Sequence, residues 1–200
     1  MVYLFCLLYS FLFIYLSVGY YHSNTLIISK KAQILIMLVP VCLWIIILGS
    51  QNSVGTDYES YYSLFSGADV GLYDRKKEYL FVFLCNFINK NNLNPQIGFY
   101  LFSILQMFFL YLFILKVNFE RLDIFIYVFF TCSTFFINQL NGLRQFLAAD
   151  IFMLAYLLLK EKKYFLYIIM LIFASMFHRS SLFLFLQIVF SQKSVKNYCI

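Results

Sequence analysis

The sequence predicts an all-α, polytopic membrane protein, and three observations carry that prediction. Apolar residues make up 63% of the chain and charged residues 12%, against about 45–50% and about 25% in soluble domains. Apolar runs long enough to cross a bilayer recur along the chain, each near the roughly 20 residues a spanning helix requires. Only two prolines occur in 200 residues, and no Gly/Ser linker, low-complexity tract or internal repeat marks off a soluble part. Residues 1–200 therefore read as one integral membrane domain.

Segments 2–20, 33–49, 97–117, 124–140 and 143–159 each suit a span. No basic residue precedes the first, which argues against a cleaved signal peptide. Pro40 falls inside the second, where it bends a helix whose packing can satisfy the freed carbonyl. Residues 50–77 are polar and read as an external loop. EYLFVFLCNFI, at 78–88, is too short to span and reads as interfacial or re-entrant. Segment 164–190 holds His178 and Arg179 in its middle, so it reads as two short helices, 164–177 and 181–191, meeting at a polar break. The sum is about seven spans, two of them short.

Charge gives an orientation. With 78–88 on the surface, one side of the membrane collects Lys30, Lys31, Lys116, Arg121, Lys160, Lys162, Lys163, Lys193 and Lys196. The other collects Arg75, Lys76, Lys77, Lys90, Arg144 and Arg179. The more basic side is taken as cytoplasmic, which puts the N-terminus outside. The opposite assignment, with 78–88 spanning and the whole protein flipped, also satisfies the rule. The first is preferred because it brings Asp57, Glu59, Asp69, Asp74, Arg144, His178 and Arg179 to one face. The net charge of +6 then concerns topology and lipid headgroups rather than nucleic acid. Five cysteines, scattered and odd in number, form neither a disulfide framework nor a metal pattern. No Walker loop, CxxC pair, HExxH or Gly-rich dinucleotide turn is present, so neither a metal nor another cofactor is expected.

The polar groups inside apolar sequence carry the chemistry. NQLNGLRQFLAAD, at 138–150, places Arg144 and Asp150 in or beside hydrocarbon, where a charge costs roughly 2.5 kcal/mol or more. Asn141 is a favoured residue to cap the helix after Gly142. Arg144 would then lie in the first turn, where guanidinium and free amides together attract phosphate. Snorkelling of Arg144 to lipid headgroups is the alternative. The break FASMFHRSSLF, at 173–183, repeats the design, with Ser180 or Ser181 as cap for a short following helix. His178 can act as acid or base near neutral pH, or serve as a structural hydrogen-bonder. Arg179 is an anion ligand or an interface anchor. In the loop, Asp57 can position or deprotonate a hydroxyl, or be merely solvated. Tyr58, Tyr61 and Tyr62 can stack on sugar rings or anchor at the interface. Asp150 sits six residues after Arg144, off its helix face, and needs a partner from another helix or a proton.

Four pieces then stand in order: VGTDYESYY (54–62), the glutamate opening EYLFVFL (78–84), NGLRQFLAA (141–149) and FHRSSLF (177–183). Together they resemble the EpsG family, the Wzy-like polymerases of bacterial exopolysaccharide, capsule and O-antigen, over roughly residues 50 to 185. The resemblance implies a multi-pass protein of the bacterial cytoplasmic membrane, transferring glycosyl groups at its outer face. Its substrates would be oligosaccharide repeat units on undecaprenyl diphosphate, and its partners the bilayer and other polysaccharide-assembly membrane proteins. It gives Arg144 and His178 catalytic roles, the first at the leaving diphosphate and the second at the attacking hydroxyl. Asp57, Tyr58, Gln145 and Arg179 are left to bind substrate. Family members generally continue through further spans, so a truncated chain is an expectation here. A lipid-linked sugar carrier or flippase subunit, or an inactive accessory fragment, are the competing readings.

Overall fold

A computed structural model describes residues 30–116 and 138–187. The expected spans at 2–20 and over most of 124–140, and the end of 181–191, lie outside those residues. Every regular element within them is helical: α1 (Lys30–Gly49), α2 (Tyr58–Phe65), α3 (Gly71–Arg75), α4 (Tyr79–Lys90), α5 (Gln96–Lys116), α6 (Leu143–Lys160), α7 (Tyr164–Ser175) and a 3₁₀ turn, Arg179–Phe185. Among them α5 is long and apolar enough to cross a membrane, while Leu38–Gly49, α4 and α7 are shorter apolar helices.

Helix α5 is the central post. Phe99, Phe102, Met107 and Leu110 on it are all buried. Helix α1 runs antiparallel to it, because the Nε2 of Gln96 at the start of α5 donates to the carbonyls of Gly49 (2.5 Å) and Gln51 (3.0 Å) at the end of α1. The two backbones approach where Gly49 faces Tyr100, and a Cβ at Gly49 would lie 2.2 Å from that ring. Pro40 is accommodated inside α1.

Helix α6 runs parallel to α5 but begins deeper. The Nε2 of Gln106 donates to the carbonyl of Leu143 at 3.2 Å. At the far end Glu161 pairs with Lys116 at 3.3 Å and with Lys163 at 2.7 Å. Those contacts, Lys163 first, hold its carboxyl below the usual glutamate range. Residues 161–163 turn the chain into α7, which packs back on α6 through Ala155, Leu159, Tyr167 and Leu171.

The segment expected as an open external loop is half helical. In α2 the residues Tyr58, Tyr61, Leu64 and Phe65 are buried, a spacing of three, three and one that forms one helical face. Phe65 meets α5 where Gly98 has no side chain, since a Cβ there would lie 2.4 Å from its ring. Gly55 turns the chain into α2 with φ +89, a backbone region open to glycine at no cost. The expected short segment at 78–88 is a twelve-residue helix, α4, burying Phe81, Cys85 and Ile88. Its outer side exposes Tyr79, Phe83 and Phe87, four residues apart and so on one stripe.

Candidate active site

The break between α7 and the 3₁₀ turn seats on the start of α4. The carbonyl of Met176 accepts the amides of Leu80 at 3.1 Å and Phe81 at 3.4 Å, two of the donors that a helix start leaves without internal partners. Phe177, next in sequence, is buried edge-on against Phe102 of α5, with ring centroids 6.2 Å apart. His178 and Arg179 are thereby delivered to the residue that precedes α4, which is Glu78.

Glu78 is 1% exposed, and groups from two other elements surround it. Its Oε2 accepts from Nη1 of Arg144 in the first turn of α6. Its Oε1 accepts the backbone amide of Arg179 at 3.1 Å and lies 3.5 Å from Nδ1 of His178. That last separation is longer than a formed hydrogen bond. Burial alone would push the Glu78 carboxyl up. His178, the Arg179 amide and the Arg144 charge outweigh it and hold the group below its ordinary value, so it is a carboxylate.

Arg144 is itself largely enclosed, its side chain 13% exposed. Its guanidinium carbon lies 4.3 Å from the ring centre of Tyr73, 4.7 Å from Phe81 and 5.9 Å from Tyr61, distances at which aromatic faces attract cations. One donor, Nε, is buried without a hydrogen-bond partner among the described residues. The site opens to the exterior at His178, 25% exposed, and at Arg179, whose Nη1 donates to the carbonyl of Lys76 at 3.3 Å.

The structure thus brings Arg144, His178 and Arg179 together and sets the other expected site residues around them differently. Asp57 is exposed and accepts from its neighbour Thr56 Oγ1 at 3.3 Å. Tyr58 is buried and stacked on Phe99 at 4.9 Å, interplanar angle 18°, because it belongs to the apolar face of α2; as placed, it presents no free ring face to a sugar. Gln145 is exposed beside Arg144. Asn141 does not cap α6, whose preceding residue is Gly142 with no side-chain cap. Its Oδ1 instead accepts the amide of Thr56 at 2.9 Å, tying the 51–57 loop to the start of α6. Neither Ser180 nor Ser181 caps the 3₁₀ turn: His178 occupies that position without a side-chain cap, and Ser181 Oγ is buried without a partner among the described residues. Asp150 is fully buried, and neither of its oxygens has a hydrogen-bond partner among the described residues.

Glu78 is the functional residue that the sequence reading passed over. It stood in a motif, but a carboxylate beside Arg75, Lys76 and Lys77 in sequence reads as part of a solvated charge run. Only the fold shows that the backbone turns at Lys77, with φ +61, and sends Glu78 inward while the lysines stay outside.

Chemically the cluster offers a buried cation with an unused donor, an imidazole whose Nδ1 side faces a carboxylate, and an exposed second guanidinium at the mouth. Comparison with curated proteins and with solved structures finds no match. The model of one family, EpsG, matches residues 33–200 and so takes in every residue of the cluster. The chain belongs to the EpsG family, a Wzy-like polymerase family.

Proposed function

We propose that this protein polymerises oligosaccharide repeat units carried on undecaprenyl diphosphate, at the outer face of the bacterial cytoplasmic membrane. The observation that carries the reading is the convergence of Arg144, His178 and Arg179 on one buried carboxylate, in a member of a polymerase family. In the transfer, a hydroxyl oxygen of one unit bonds to the anomeric carbon of the other unit's first sugar. The bond from that carbon to the diphosphate oxygen breaks, and the lipid diphosphate leaves with the electron pair.

Negative charge develops on the leaving oxygen, and preorganised cationic donors in a dry site are the efficient way to receive it. Arg144 supplies such donors from inside the fold, and Arg179 supplies them at the mouth. The hydroxyl proton goes to His178. A carboxylate facing Nδ1 favours the tautomer with its proton there, which leaves Nε2 as the basic atom, the logic of a carboxylate-oriented general base. Asp57 and Gln145 line the exposed approach and serve the sugar hydroxyls, and Tyr58 acts by holding α2 in place rather than by stacking on sugar.

The site's depth fits a substrate anchored in lipid. Arg144 packs on Phe81, which lies beside Phe102 in the first third of α5, where the diphosphate of a polyprenyl carrier can be met near the membrane boundary. The outer-face assignment and the arrangement of about seven spans rest on the charge asymmetry of the loops. Lys116, Glu161 and Lys163 cluster at the end of α5 and α6 remote from the site, in keeping with that assignment. The bilayer and other polysaccharide-assembly membrane proteins are the expected partners. Purified protein in liposomes with lipid-linked repeats should produce a ladder of lengthened glycans. Repeats moved across the bilayer without lengthening would mean a carrier, and no change at all would mean an inactive accessory protein.

A further inference from the structure

The transfer reading gives roles to three cations or bases and leaves the charge at their centre without one. Glu78 faces a group of each of these residues: Arg144 Nη1 at Oε2, and the backbone amide of Arg179 and, at 3.5 Å, Nδ1 of His178 at Oε1. A carboxylate in the anion-binding position of a diphosphate site is a resident competitor for the substrate. Mere charge balance for a buried arginine needs no histidine facing the same carboxylate, and it leaves unexplained an Arg144 Nε that has no partner among the described residues.

We infer that Glu78 is a positioning residue that limits how tightly Arg144 holds diphosphate, so that the lipid diphosphate product is released after each transfer. The inference rests on the reading of this site as a glycosyl-diphosphate transfer centre. The chemistry gives the reason. Cleavage of the sugar–diphosphate bond turns a diester of diphosphoric acid into a monoester, which carries an additional negative charge. An enclosed guanidinium without a counter-ion would therefore bind product more tightly than substrate, and turnover would stall at release. With Glu78 in place, Arg144 exchanges one anion for another, and the carboxylate takes it back as the product departs. The guanidinium's other N–H groups are left for the diphosphate while Nη1 stays with Glu78. The same carboxylate keeps the imidazole of His178 turned with Nδ1 inward.

The test separates binding from chemistry. Inorganic diphosphate is titrated into wild-type protein and into Glu78→Gln, Glu78→Asp and Arg144→Lys variants in lipid nanodiscs, and steady-state polymerisation is measured on the same preparations. Glu78→Gln should bind diphosphate at least fivefold more tightly than wild type, Glu78→Asp should fall between them, and Arg144→Lys should bind more weakly. In polymerisation Glu78→Gln should lower kcat at least tenfold and lower KM with it, the pattern of over-tight binding. A loss of properly folded protein would instead lower kcat alone. Equal diphosphate affinity in wild type and Glu78→Gln overturns the inference. If Glu78→Gln does not fold, equal affinity in wild type and Glu78→Asp overturns it equally. Failure of the wild-type protein to lengthen glycans would count against the transfer reading, and the diphosphate titration would still decide the role of Glu78.

Discussion

Arg144 and Glu78 form a pair whose two members are not interchangeable in consequence. Breaking a buried ion pair from one side leaves the other charge uncompensated, at a cost of about 3–5 kcal/mol. Glu78 is also a pH-sensitive part of the fold. Its carboxyl is held below its ordinary value of 4.5, so the unfolded chain binds the proton more readily than the folded one, and stability rises with pH across that interval. The stabilisation is present above about pH 4.5 and disappears as pH falls through the lower folded value. Thermal melts in detergent from pH 7 to pH 3 should show wild type losing its advantage over Glu78→Gln as the pH drops. A constant gap would place Glu78 outside the linkage. His178→Ala should reduce polymerisation by about 10²–10⁴-fold, the range for loss of a general base, with no change in membrane insertion. Three of the cluster's residues were legible from sequence because each is a charged or titratable group stranded in apolar surroundings, where its cost asks for a reason. Glu78 was not, because its neighbours in sequence are polar and only its neighbours in space are not.

Helices place these groups through a few close approaches. Gly98 admits the ring of Phe65, and α2 in turn presents Tyr61 to Arg144. Gly98→Ala overpacks that contact and should cost about 1–3 kcal/mol, read as a lowered melting temperature together with weakened polymerisation. An unchanged melting temperature would mean that α2 packs elsewhere. The joint of α4 and the α7 break is more direct, because the Met176 carbonyl accepts the Leu80 amide at 3.1 Å. In a cysteine-free background, Leu80→Cys with Met176→Cys should cross-link under mild oxidation or with a short bismaleimide, while Leu80→Cys with Tyr164→Cys should not. The apolar runs behind α1, α5, α6 and α7 were plain in the sequence as continuous hydrophobic stretches of helical length. Helix α2 was hidden because tyrosines supply half of its buried face, and YESYYSLF reads as a polar loop until Tyr58, Tyr61 and Phe65 are counted at helical spacing. Asn141 misled for the opposite reason. Its type suits a cap, but the Thr56 amide, brought in by the turn at Gly55, claimed its oxygen.

Across the whole molecule, the site stands at one end of the α5–α6 pair and the basic turn at Glu161 stands at the other. Asp57→Cys and Glu161→Cys should therefore be labelled by membrane-impermeant reagents from opposite sides, 57 from outside. Labelling of both from one side would break the proposed topology. The all-helical class follows from composition, since a chain 63% apolar must satisfy its backbone internally in lipid, and helices do so within a single segment. The position of the site along the bundle was beyond the sequence, because it depends on how Phe81 of α4 and Arg144 of α6 come together beside Phe102 of α5, which no local pattern encodes. The central claim is that Arg144 receives the charge of a departing diphosphate through its planar fork of donors, a geometry lysine cannot reproduce at equal charge. The decisive measurement is the length distribution of glycan made from lipid-linked repeats by purified Arg144→Lys protein beside wild type in liposomes. A wild-type ladder with single, unextended repeats in the variant is the predicted result, and a full ladder from Arg144→Lys would contradict the account.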